Sequence, residues 1–231
     1  MTLNLWCYFD WDARKDNIVR LIQSESPDII ALQEVQVNTA FSATPQSQYI
    51  AQHAGYQHHL FVPTWFITDN MPWDENIKTR QSHGLAIISR YPIAAHEGYA
   101  LKQHPDHDEK SAILFVTIAI RDKTVDICNV HFGNSDLFSD LHVKECMAVC
   151  AHKGVSPIIM GDFNNFRLQD YSTSQLKDYT ISTEVAPYIS MPKNEGTLDY
   201  IATPFSMRMS DVRCPSTYVS DHRPVLANIT F

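Results

Sequence analysis

Two short apolar runs in this sequence end in groups that can bind a cation. "PIIM" breaks at Gly161 into Asp162, Phe163, Asn164 and Asn165, and "DIIAL" runs into Gln33 and Glu34. Similar groups recur elsewhere: Asn4 in "LNLW", His131 in "NVHFGN", Asp199 in "TLDYI", and the pair Asp221 and His222 in "SDHRPV". Taken singly, each has a structural reading. Asn4 can be a strand-edge amide, Glu34 a loop cap and His131 a satisfied strand-end histidine. Asp162, Asn164 and Asn165 can be Asx-turn residues, whose side chains bond their own backbone. Asp199 can be a polar strand residue, and "SDH" a cap before Pro224. Taken together, they are the equipment for cation-assisted hydrolysis of a phosphate ester. Carboxylate and amide oxygens suit Mg²⁺ or Mn²⁺. A histidine beside a carboxylate suits proton transfer near neutral pH, and a second can stabilise phosphoryl oxygens. The chain has no G-x-S-x-G and no P-loop pattern, so water is the expected nucleophile.

These groups need strands that end at a common rim. "PIIM" and "DIIAL" read as short buried strands. "DARKDNIVRLIQSES" spaces Ile18, Val19, Leu21 and Ile22 as a helix, with Asp12 as N-cap and Pro27 as stop. "PQSQYIAQHAGY" predicts a helix closed near Gly55, followed by the strand "QHHLFV". Residues 63–82 read as a long irregular loop, and "HGLAIISRYPI" returns to strand. "SAILFVTIAI" and "VDICNVH" flank the turn "RDKT" as a hairpin. "SDLHVKECMAVCAHKG" gives Leu141, Cys146, Met147 and Cys150 a helical face. Short strands follow around "LDYIAT", "RMSDVRC" and "PVLANITF". Frequent hairpins with few helices predict an α+β layered sandwich rather than a parallel α/β sheet, in one domain over 1–231.

In this order, the motifs resemble those of the endonuclease/exonuclease/phosphatase superfamily, which includes pancreatic-type deoxyribonucleases, apurinic-site endonucleases, inositol polyphosphate 5-phosphatases and neutral sphingomyelinases. "LNLW", "LQEV", "NVH", "GDFN", "LDYI" and "SDH" each match a motif of that superfamily, and the match runs the length of the chain. The resemblance implies a four-layer α/β sandwich: two packed, mainly antiparallel sheets flanked by helices, with the site at one end. "PIIM" and "DIIAL" become inner strands of opposite sheets. It also implies roles. Glu34 is the main metal ligand, and Asn4 and Asp221 bind the ion directly or through water. Asp162 orients or deprotonates the attacking water, and Asn164 holds that water or a phosphate oxygen. Asp199 fixes the tautomer of His222, which faces phosphorus as base or stabiliser, and His131 contacts a phosphate oxygen. Glu34, Asp162, Asn164, Asp199 and His222 are all intact, which argues against a catalytically inactive binding scaffold.

Composition narrows the substrate. The 231 residues are 44% hydrophobic and carry a formal net charge of −8. That charge disfavours nucleic acid, whose binders face phosphates with Lys and Arg, although a bound cation can supply local positive charge. Gln36 and Ser111 stand where several nuclease members of the superfamily carry basic residues. A small organic phosphoester is therefore the favoured substrate and a nuclease activity the alternative. No apolar run approaches the roughly 18 to 20 residues of a membrane span, and "MTLNLWCYFD" has no signal-peptide pattern. The five cysteines include no C-x-x-C pair; Cys146 and Cys150, four apart on the expected helix, read as core thiols rather than a zinc site, and a reducing, cytoplasmic compartment fits. The loop from 63 to 82 is the expected specificity element. Trp65 and Trp73 would form an apolar or stacking wall, with Lys78 or Arg80 available to phosphate. "KQHPDHDEK" reads as a solvated hairpin loop.

Overall fold

In a computed structural model, which describes residues 1–67, 81–103, 110–168 and 175–231, without the side chains of residues 65–67, 81 and 136, the apolar runs assemble into two main sheets. The first is built from β1 (Thr2–Asn4), β2 (Ile29–Asn38), β3 (His58–Ile67) and β4 (Gln81–Ser89), in the order β1-β2-β4-β3. The second contains β5 (Ile93–Ala100), β6 (Ala112–Ile120), β7 (Lys123–His131), β8 (Ile158–Asp162), β9 (Tyr179–Ile181) and β10 (Asp199–Pro204). Its order is β5-β6-β7-β8-β10-β9. A ribbon of β11 (Arg208–Arg213) and β12 (Leu226–Thr230) completes the strands. Both sheets are mainly antiparallel, with β1–β2 and β7–β8 paired parallel.

Alternation of side chains across each strand sorts the apolar residues into three layers. Leu3, Ile30, Leu32, Ala86 and Ile88 face α1 (Trp11–Glu25) and α2 (Gln46–Ala54). Cys128, Val130, Ile159 and Tyr200 face α3 (Asp136–Lys153). Between the sheets lie Ala31, Leu85, Ile87, Ile127, Ile158, Met160 and Ile201. The result is the expected four-layer α+β sandwich. Cys128, Cys146 and Cys150 are buried in the layer under α3, as core thiols. Among the described residues, no helix is long and apolar enough to cross a membrane.

Several boundaries differ from the sequence reading. Asp10, not Asp12, precedes α1, and Asp12 lies in its first turn. The helix stops at Ser26, which takes a left-handed conformation one residue before Pro27. On α3, His142 and Val143 fill the buried face while Leu141 is half-buried. The expected loop 63–82 is strand at both ends, since Pro63 pairs with Gly84, Trp65 with His83 and Ile67 with Gln81. Proline is tolerated there because β3 is an edge strand, and "WFI" has the aromatic and β-branched residues that favour strands. "HGLAIISRYPI" divides at Arg90–Pro92, where the chain passes from one sheet to the other. Residues 104–109 of "KQHPDHDEK" lie outside the described residues.

One polar residue interrupts the inter-sheet core. Asn129, fully buried on β7, donates through Nδ2 to the Leu32 and Ala86 carbonyls of the facing sheet at 3.0 and 2.9 Å. Its Oδ1 accepts from Gln33 Nε2 at 2.7 Å. The bonds fall at an irregularity in the β2–β4 ladder between Leu32 and Val35, where Gln33 and Glu34 oppose Leu85 alone. Asn129→Ala removes three buried hydrogen bonds between the sheets. The expected loss is about 3 kcal/mol, given roughly 1 kcal/mol net per hydrogen bond. Urea unfolding of wild type and variant checks it, and an unchanged midpoint would exclude the interaction as a structural tie.

Candidate active site

The inter-sheet layer continues directly into the polar rim. On β7, Ile127 and Asn129 are followed on the same face by His131, and on β8, Ile158 and Met160 are followed by Asp162. On β10, Asp199 precedes Ile201, and on β1, Thr2 precedes Asn4. Sheet register sets the pairs: His131 lies beside Asp162, and Asp162 beside Asp199. Glu34 reaches the rim by another device. It occupies the bulge in β2 with φ 51°, so its carboxylate leaves the ordinary alternation. Opposite the bulge, Gly84 lets β3 approach β4, since a Cβ there would lie 2.1 Å from the Val62 carbonyl oxygen. Gly161, at φ 153°, would bring a Cβ to 2.0 Å from the Val130 oxygen. Only glycine lets β8 approach β7 at the residue before Asp162.

Asn4 joins the two halves of the site. Its Nδ2 donates to Glu34 Oε1 at 3.0 Å and to Asp162 Oδ2 at 2.9 Å. Its Oδ1 accepts the Trp6 N–H at 2.9 Å, which fixes the amide's orientation. His131 Nε2 stands 4.0 Å from Glu34 Oε1 and 3.8 Å from Asp162 Oδ2. His222 donates from Nδ1 to Asp199 Oδ2 at 2.8 Å and turns Nε2 towards Asp162 Oδ2, 3.9 Å away. Asn164 donates its backbone N–H to Asp162 Oδ1 at 2.8 Å and its side-chain amide to the Phe132 carbonyl at 2.9 Å. Asn165 is an anchor: it bonds Asp140 of α3 and the Arg167 N–H. Asp221 is half-buried beside this group and accepts from Ser220 Oγ at 3.0 Å.

The charges are strongly coupled. Burial works against the His222 imidazolium, but the Asp199 and Asp162 carboxylates outweigh it and push its pKa up to about 10. Burial tends to raise the Glu34 carboxyl as well. The His131 imidazole and the Asn4 amide overcome that and hold it below the ordinary carboxylate value.

Sequence patterns missed four supporting residues. His83 and Cys7 flank Glu34, and the three donor atoms lie within 4.8 Å of one another. Arg14, on α1, is fully buried. It donates to the carbonyls of Phe9 and Val219, and so ties the segment after β1 to the one leading into His222. Gln46 donates to the Cys7 carbonyl at 2.6 Å and accepts the Gln36 N–H at 2.9 Å. The available signals were a histidine next to a strand glycine and an arginine four residues ahead of Ile18, on the same helix face. Next to Cys7, Trp6 stacks on Phe9 with centroids 5.3 Å apart, and Tyr8 on Phe41 at 5.0 Å. Phe9 and Phe41 are exposed. For the expected wall, the backbone of Trp65 pairs with that of His83, whereas Trp73, Lys78 and Arg80 lie outside the described residues.

The family model of the Endonuclease/Exonuclease/phosphatase family matches residues 1–222. Among solved structures, the chain is similar to an endonuclease/exonuclease/phosphatase from Beutenbergia cavernae. The TM-score is 0.80 and the identity 17%, over 99% of this chain and 70% of that one. The Bacteroides thetaiotaomicron mannosyl-6-phosphatase Bt3783 aligns with TM-score 0.72 and 16% identity, over 100% and 98% of the two chains. The human Nocturnin catalytic domain with bound sulfate aligns with TM-score 0.70 and 20% identity, over 99% and 91%. At these identities the likeness is one of fold. No curated protein sequence matches.

The glycine constraint yields a comparison. Gly161→Ala is expected to cost about 3 kcal/mol through its clash with the β7 backbone. Gly55→Ala, left-handed at φ 81° but with nothing within 4 Å of its Cβ, should cost only about 1–2 kcal/mol. Equal shifts in the two denaturation midpoints would show that close approach does not govern Gly161.

Proposed function

This chain belongs to the endonuclease/exonuclease/phosphatase family, and from that premise we propose that it is a divalent-metal-dependent hydrolase of a small organic phosphoester, acting by direct attack of water. The observation that carries the reading is the convergence of His131, Asp162 and the Asp199–His222 pair on one rim, with Glu34 joined to them through Asn4. The donor set fits a hard divalent ion. Glu34 and Asp162 offer carboxylate oxygens on either side of the Asn4 amide, and the Asp199 Oδ1 atom is buried without a hydrogen-bond partner. Glu34 and Asp162 would hold the ion, with Asp221 reaching it through water. The ion would offset phosphate charge and polarise the phosphoryl group.

The chain's own residues account for the remaining tasks. Asp199 holds Nδ1–H of His222, so Nε2 is the atom that faces the reaction and carries the mobile proton. Asp162 takes the attacking water. Its own position is set by the Asn164 backbone N–H and the Asn4 amide. His131 Nε2 faces the same space and supports charge on the phosphoryl oxygens.

Three features favour a small substrate. The net charge is −8. Arg14, buried behind the segment after β1, turns its guanidinium to backbone carbonyls. A similar fold, Bt3783, is described as a mannosyl-6-phosphatase. The nuclease reading draws on the exposed Phe9 and Phe41, since stacked aromatics can hold bases. A panel of sugar phosphates, inositol phosphates, phospholipid head groups, nucleotides and oligonucleotides separates the two. The highest kcat/KM on an oligonucleotide would replace the first reading with the second.

Two outcomes are expected on the best substrate. Chelator abolishes turnover and Mg²⁺ or Mn²⁺ restores it; full activity in excess chelator would remove the metal from the mechanism. His222→Ala and Asp162→Ala each lose about 10²- to 10⁴-fold in kcat. The double variant Asp199→Asn/His222→Ala is little worse than His222→Ala, because Asp199 acts through the imidazole. Additive losses in this cycle would mean that Asp199 does not serve His222.

A further inference from the structure

The two oxygens of Glu34 serve different sides. Oε1 faces Asn4 and His131, on the side of Asp162. Oε2 accepts from Cys7 Sγ at 3.3 Å, on the side of His83. We infer that Cys7, Glu34 and His83 form a second metal site, selective for a borderline divalent ion such as Zn²⁺ and distinct from the oxygen-rich centre of the proposed hydrolase, with which it shares Glu34.

The donor types carry the selectivity. A thiolate, an imidazole and a carboxylate make an S/N/O set that suits Zn²⁺ or Co²⁺, whereas Mg²⁺ favours oxygen alone. The spacing also fits. Zn–S of about 2.3 Å and Zn–N or Zn–O of about 2.0–2.2 Å in a tetrahedron put neighbouring donors roughly 3.3–3.7 Å apart. The Cys7–Glu34 separation of 3.3 Å lies in that range, and all three donors fall within 4.8 Å. All three residues are partly exposed, so an ion can enter and a water can complete the coordination.

Irregular backbone holds each donor in place. Cys7 has φ 47° and follows Trp6 at φ 54°. Its carbonyl is held by Gln46 at 2.6 Å and by Arg14 at 3.4 Å. Glu34 sits in the β2 bulge, and His83 precedes Gly84, beside which β3 is bulged as well. Sheet alternation alone would not bring these three side chains together. On binding, the Cys7 thiol becomes a thiolate and its proton passes to the buffer.

The test titrates the reduced, metal-free full chain with Co²⁺ as spectroscopic probe. The expected result is a near-ultraviolet thiolate-to-Co²⁺ charge-transfer band saturating at one equivalent and abolished by Zn²⁺. Cys7→Ser removes the band while the other four cysteines remain. His83→Gln weakens Zn²⁺ affinity on the order of 10-fold or more in competition with a chromophoric chelator. In the wild-type protein, Zn²⁺ but not Mg²⁺ slows alkylation of Cys7, mapped by mass spectrometry, so the inference is testable even if a variant fails to fold. No band with wild type, a band that survives Cys7→Ser, or alkylation unaffected by Zn²⁺ would overturn the site. The hydrolase reading is measured separately: Mg²⁺-dependent turnover without the band sinks only this site, and the band without any turnover sinks only the hydrolase.

Discussion

The carboxamide of Asn129 is the tie on which the rim depends. A buried amide in a dry inter-sheet core is costly unless it is satisfied. Asn129 donates both of its N–H groups across the sheets to the carbonyls of the paired residues Leu32 and Ala86, at the edge of the bulge that presents Glu34. That ties β7 to β2 and β4 next to the bulge. His131 lies two residues beyond Asn129 on the same face, so the strand held by this tie also carries a histidine towards the carboxylate the bulge presents. Gln33 extends the tie to Thr2 and hence to β1, whose next inward residue is Asn4.

Much of this could be read from sequence because it follows a period of two. Asp162, His131 and Asp199 continue strands whose apolar alternation is visible, and their motifs occur in a recognisable order. The pairing of Asp199 with His222 came from the superfamily resemblance, since His222 lies outside the strands. The residues that were missed depend on backbone that no periodicity reports. His83 and Cys7 approach Glu34 only because of bulges and left-handed residues. Arg14 lies in a segment that scans as a polar helix start, yet carbonyls of Cys7, Phe9 and Val219, from two separate segments, close around its guanidinium. The loop 63–82 reads too long in sequence because Trp65 scans as part of a binding wall rather than as the end of an edge strand.

The electrostatics of the rim bear on the proposed cation. Asp162 and Asp199 are buried, with Glu34 and Asp221 partly exposed beside them. Carboxylates gathered in low dielectric repel one another and lose hydration. In the folded chain the opposition comes from the Asn4 amide between Glu34 and Asp162 and from the His222 imidazolium. Neither is enough for an incoming phosphoester, which adds negative charge to the same space. Arg14 cannot help, because its donors are committed to carbonyls. A divalent ion on Glu34 and Asp162 would relieve both problems at once: it offsets the repulsion already built into the fold and gives the phosphate an opposite charge to meet.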